Sequence, residues 1–119
     1  MKCQCHLLAD SVSGRIVLYG DATSNSSDES DSHNISLQFN NISQWLCYED
    51  FLALEWNVRS IDTVAYFDAY PYEERIHLST PLSSLSFSFR PHELIELRKL
   101  LSKAVSRLHW IEMLRKAQN

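Results

Sequence analysis

The sequence predicts an α+β domain: an antiparallel sheet built from two β-β-α repeats plus an N-terminal β-hairpin, with two helices on one face. Three observations predict it. Segments such as Ile35-Ser36-Leu37-Gln38-Phe39 and Leu85-Ser86-Phe87-Ser88-Phe89 alternate apolar and polar residues, the period of a half-buried strand. Each pair of such segments leads into an acidic helix start and an apolar stripe, first Phe51, Leu54, Val58 and Ile61, then Leu94, Leu97, Leu101, Ala104 and Leu108. A shift of 43 residues superimposes Phe51 on Leu94, Leu54 on Leu97 and Val58 on Leu101, so both units present the same face for burial. One unit cannot cover its own sheet, whereas two can share a continuous one.

In chain order, residues 1–20 form the N-terminal hairpin. Cys5, Leu7 and Ala9 alternate, Ser11 to Gly14 turn, and Arg15-Ile16-Val17-Leu18-Tyr19 returns as a β-branched run between two glycines. Residues 21–34, DATSNSSDESDSHN, have almost nothing to bury and read as a flexible acidic loop. Asp28, Glu29 and Asp31 lack the Gly and terminal Glu of a calcium loop, so this segment is read as solvated. The first repeat spans 35–61: a strand to Phe39, a turn at Asn40-Asn41, a strand from Ile42 to Leu46, and a helix opening at Tyr48 with Glu49 and Asp50 in its first turn. Thr63 to Phe67 reads as a further strand, and Asp68 to Glu74, with Pro71 between two tyrosines, as an exposed turn.

The second repeat spans 76–117. Ile76 and Leu78 alternate, a turn comes around Pro81, and Leu85, Phe87 and Phe89 return. Pro91 suits the first position of a helix, and no Pro or Gly occurs after it, so the helix should run for about two dozen residues. The predicted core holds Leu37, Phe39, Leu54, Leu78, Phe87, Leu97, Leu101 and Leu108.

The stretches NISLQFNNISQWLCYEDFLAL and ERIHLSTPLSSLSFSFRPHELIELRKLLSKA together resemble the two halves of a small, uncharacterised bacterial family found mainly in Bacteroidetes, over roughly residues 33 to 110. The resemblance rests on apolar and acidic positions and implies the duplicated unit, with no activity to carry over. Many members of that family carry a cysteine pair after the first strand and Ser or Thr at each helix start. Here the acidic loop takes the first place, and Cys47 and Arg90 stand at the helix starts.

Length and composition bound the function classes. With 119 residues, 45% hydrophobic and 22% charged, the chain fits one packed domain and not a disordered one. The net charge of −4 is unevenly spread: residues 1–89 carry four Lys/Arg against twelve Asp/Glu, residues 90–119 seven against three. Lys99, Lys103 and Arg107 share one helix face and could line a phosphate track, but a solvated face has the same pattern. Overall acidity and the lack of aromatics among them disfavour a nucleic-acid partner. No apolar run is long enough for a membrane span, and the N-terminus lacks a signal peptide's apolar stretch, so a cytoplasmic location is expected, with the three cysteines as free thiols.

Two constellations could carry function. Cys3, Cys5 and His6 are good soft-metal ligands close in sequence, with Cys47 as a candidate fourth; zinc is the ion they would take, and no other cofactor is implied. Against that stand the missing two-residue gap of structural zinc sites and the frequency with which cysteines are simply buried. Trp110 and Met113 fall on the side of the last helix away from its main stripe, where large apolar residues mark either an interface or a helix end packed on a loop or on the N-terminal hairpin. No catalytic arrangement is visible: two glycines exclude a phosphate-binding Gly-rich loop, and His77 and His92 read as surface residues. The preferred expectation is a non-enzymatic interaction or scaffold domain that pairs with itself as a homodimer through the distal part of the last helix. The alternative is a metal-binding regulatory protein using Cys3, Cys5 and His6.

Overall fold

The computed structural model describes residues 5–20, 33–79 and 85–117. The chain is α+β, as the hydropathy pattern predicts. Strands β1 (Cys5–Asp10), β2 (Gly14–Tyr19), β3 (Ile35–Phe39) and β4 (Ile42–Leu46) form an antiparallel sheet in sequential order. Helices α1 (Tyr48–Arg59) and α2 (Thr63–Ala69) come next, then the hairpin β5 (Ile76–Ser79) and β6 (Ser86–Phe89), and finally α3 (Pro91–Ala117).

Alternation decides which side chains the sheet buries. Ile16 and Leu18 of β2 lie beside Leu37 and Ile35 of β3, and all four are fully enclosed with Phe39. The Asn40-Asn41 turn fixes the β3–β4 register, Ile35 opposite Leu46 and Phe39 opposite Ile42, with Asn40 in the left-handed region at φ 52°. Over this inner face lies α3, packed on β1 and β2 through Leu97, Leu100, Leu101, Ala104 and Leu108, with α1 alongside it through Phe51 and Val58. The shared stripe is buried as predicted: Phe51, Val58, Leu94 and Leu101 are sealed, while Leu54 and Phe87 are half-buried at the margin of the core.

Two details depart from the sequence expectation. Thr63 to Phe67 is the body of a helix, not a strand, because the Asp62 carboxylate accepts the Val64 and Ala65 amides at 3.1 and 3.2 Å and starts one. The strands of the two proposed repeats do not share a sheet: among the described residues, β5 and β6 pair only with each other. Alternation dictates a strand's buried face but not its hydrogen-bonding neighbour, and the second hairpin joins the core through side chains, with the Phe89 ring edge-on to Phe39 at 6.1 Å. His77 is exposed, as its place on the polar side of a strand predicts, and lies 3.5 Å from the Glu73 carboxylate. The expected acidic loop, apart from His33 and Asn34, and the turn around Pro81 lie outside the described residues.

Candidate functional site

A 27-residue helix is about 40 Å long, whereas a six-residue strand covers about 20 Å, so α3 must outrun the sheet beneath it. The burial pattern marks where it does so. Leu108 is the last fully buried residue of α3; from there on, Ile111 is half-covered, while Trp110, Met113 and Leu114 are 51%, 63% and 46% exposed. Positions i, i+3 and i+4 lie on one helix face, so these three side chains form one apolar patch. Lys103 and Arg107 flank it on the preceding turns and Lys116 on the following one. On one side Trp110 borders an open groove of about 490 Å³ between α3 and β1, together with Leu8, Lys103 and Arg107. On the other, Met113 borders a second groove with Tyr48 and Glu112.

Trp110 shares its groove with Leu8 of the N-terminal hairpin and keeps half its surface exposed. β1 is an edge strand, and its register breaks between Leu7 and Ala9. Such a bulge blunts an edge against strand addition, so a partner arriving here would meet side chains more readily than backbone. Tyr48 ties the helix end to α1: its hydroxyl lies 3.5 Å from the Glu112 carboxylate. Burial, reinforced by the Glu112 charge, pushes the phenol pKa above its ordinary value, so this hydroxyl stays a donor.

Lys99, Lys103 and Arg107 lie exposed along α3, as their spacing predicts. Arg98 turns inward and donates to the Val58 and Ile61 carbonyls at the end of α1, at 3.4 and 2.8 Å.

Of the N-terminal metal-ligand set, Cys3 lies outside the described residues. Cys5 stands opposite Tyr19 and His6 opposite Leu18, and neighbours on a strand send their side chains to opposite faces. Cys47 comes directly after β4 at the far edge of the sheet, three strand spacings or about 14 Å from Cys5, so the two sulfurs do not meet around one ion. Instead the fold brings Cys47 to His33 and Asp50, with one ligand atom from each lying within 4.8 Å of the others. His33 was missed because it sits at the end of a polar run. The signal was in the hairpin: a register that pairs Ile35 with Leu46 carries His33 and Asn34 to the level of Tyr48 and Cys47. Asp50 also borders a pocket of about 80 Å³ between α1, β4 and the second hairpin, lined by Gln44, Leu54, Asn57, Ser79 and Phe87.

No helix among the described residues is long and apolar enough to cross a membrane. No curated protein and no solved structure matches the chain. The model of a family of unknown function, DUF6686, matches residues 1–117, and the chain therefore belongs to that family.

Proposed function

We propose that this protein is a non-enzymatic interaction domain that pairs with a second copy of itself through the distal end of α3. The carrying observation is the apolar patch of Trp110, Met113 and Leu114 on turns that project past the last buried residue. Aromatic and methionine side chains in such a setting are the residue types enriched at interface centres. Charge supports a second copy as the occupant. The patch is bordered by Lys103, Arg107 and Lys116, whereas residues 48–74, which hold α1 and α2, carry six exposed acidic residues, the seventh, Glu55, being buried and paired with the single cation Arg59. That acidic surface has exposed apolar residues of its own in Trp56, Val64 and Tyr70. A two-fold pair makes this complementary contact twice and closes on itself.

Light scattering across a concentration series tests the reading. The mass of the wild-type chain should rise from that of the monomer, 13.8 kDa, towards twice that value. The double variant Trp110→Glu/Met113→Glu should weaken pairing by at least about tenfold, the effect of losing roughly 1.4 kcal/mol of contact. Both positions are exposed in the single chain, so in solution dilute enough to keep both proteins monomeric its melting temperature should change little. A wild-type chain that stays monomeric at every concentration would exclude the proposal, and a dimer indifferent to both substitutions would exclude this surface.

A further inference from the structure

We propose that His33, Cys47 and Asp50 form a binding site for a divalent ion of the zinc class. These are three different ligand types from two places in the fold, the second residue before β3 and the N-cap and third residue of α1, with ligand atoms within 4.8 Å of one another. A tetrahedral zinc bound to sulfur at about 2.3 Å and to nitrogen or oxygen at about 2.0–2.2 Å needs its ligands about 3.5 Å apart. Closing the remaining distance takes about 1 Å, within reach of side-chain rotation where His33 and Asp50 are exposed and Cys47 is half-covered. A thiolate and a carboxylate balance the charge of the ion, and the imidazole supplies a neutral third ligand.

The ligand set also selects the ion. Calcium and magnesium want six or more oxygens, of which the cluster offers one carboxylate, whereas sulfur with imidazole suits zinc and cobalt. The Asp50 amide donates to the Cys47 sulfur at 3.4 Å, and a metal-bound sulfur retains another lone pair for that bond, so ligation and helix capping are compatible. The positive end of the α1 dipole opposes a cation here, but an exposed helix terminus shifts affinity by about fivefold at most, little beside three direct ligands. Three protein ligands near the surface leave the fourth position to water or to a donor from an incoming molecule.

The test uses the full-length, reduced chain and cobalt(II) as an optical reporter of thiolate ligation. One cobalt should bind per chain with a sulfur-to-metal absorption band that zinc displaces. Cys47→Ser should abolish the band. Serine is a better N-cap than cysteine, so that variant keeps its helical circular dichroism and loss of the band cannot be put down to unfolding. His33→Ala and Asp50→Asn should each weaken binding by at least about tenfold, since even outer-shell partners of a metal are worth that much. A double Cys3→Ser/Cys5→Ser variant should keep the band. Absence of one-to-one binding by the wild type, survival of the band in Cys47→Ser, or its loss in Cys3→Ser/Cys5→Ser would each overturn the site. The outcome is independent of the self-association reading, which is scored by mass.

Discussion

Glu96 lies in the second turn of α3, where the sequence alone suggests only a favourable charge near a helix start. In the fold its carboxylate accepts the Ser11 hydroxyl, the Ser13 amide at 2.8 Å and the Ser13 hydroxyl at 3.1 Å, and so clamps the β1–β2 turn onto the helix. The Ser11 hydroxyl, and after it the Ser13 amide, lower the carboxyl pKa below its ordinary value against a smaller opposing effect of burial. A depressed carboxyl contributes stability that is fully present above its unfolded pKa and is lost as pH falls through its folded value. Glu96→Gln should therefore melt below wild type at neutral pH, and the gap should narrow as pH falls below the ordinary carboxylate range. A gap that stays constant from pH 7 into the acid range would mean that the charge at Glu96 plays no part. Nothing at the sequence level pairs Ser11 and Ser13 with Glu96, because the contact depends on how a hairpin and a helix far apart in the chain dock. His33, Cys47 and Asp50 differ in this respect: the two-residue turn at Asn40-Asn41 sets their approach, so a register argument could have reached them.

At the scale of elements, the segments with the clearest period are the ones the sequence places correctly. Ile35–Phe39, Ile42–Leu46 and Pro91–Ala117 announce themselves through alternation or an unbroken stripe, and each occupies the expected residues. Thr63 to Phe67 does not, because Val, Tyr and Phe favour strands by packing rather than by backbone preference, and one capping carboxylate at Asp62 tips so short a segment into helix. That helix ends at Ala69, with Tyr70 as its C-cap just before Pro71, whose ring disfavours helical backbone in the residue preceding it. The end of α1 is held from outside by Arg98 of α3, which donates to the Val58 and Ile61 carbonyls. Charged donors to carbonyls at a helix C-terminus satisfy groups the helix leaves unpaired and complement its dipole. Arg98→Met keeps much of the side-chain bulk and removes both bonds, and should cost about 1.5–3 kcal/mol in urea unfolding, the range for hydrogen bonds involving a charged partner. A loss near zero would show that water serves the Val58 and Ile61 carbonyls equally well.

At the scale of the molecule, the sequence conveys what is buried better than what is adjacent. The matching stripes of Phe51, Val58, Leu94 and Leu101 do meet in one interior, yet the strands of the second unit stand apart as a separate hairpin. Inward-facing positions are written in hydropathy, whereas the edge a strand pairs with depends on the connections between elements. The proposed interface arises from the same mismatch between elements. A helix longer than its sheet, carrying large apolar residues on the overhanging turns, leaves a surface that the described residues do not cover. Hydrogen exchange of the wild-type protein, compared between dilute and concentrated solution, reads that surface residue by residue. On concentration, exchange should slow in the last turns of α3, from His109 onward, and in α1–α2, while the β2–β3 ladder stays unchanged. Equally fast exchange in those last turns at both concentrations would rule out pairing through the end of α3.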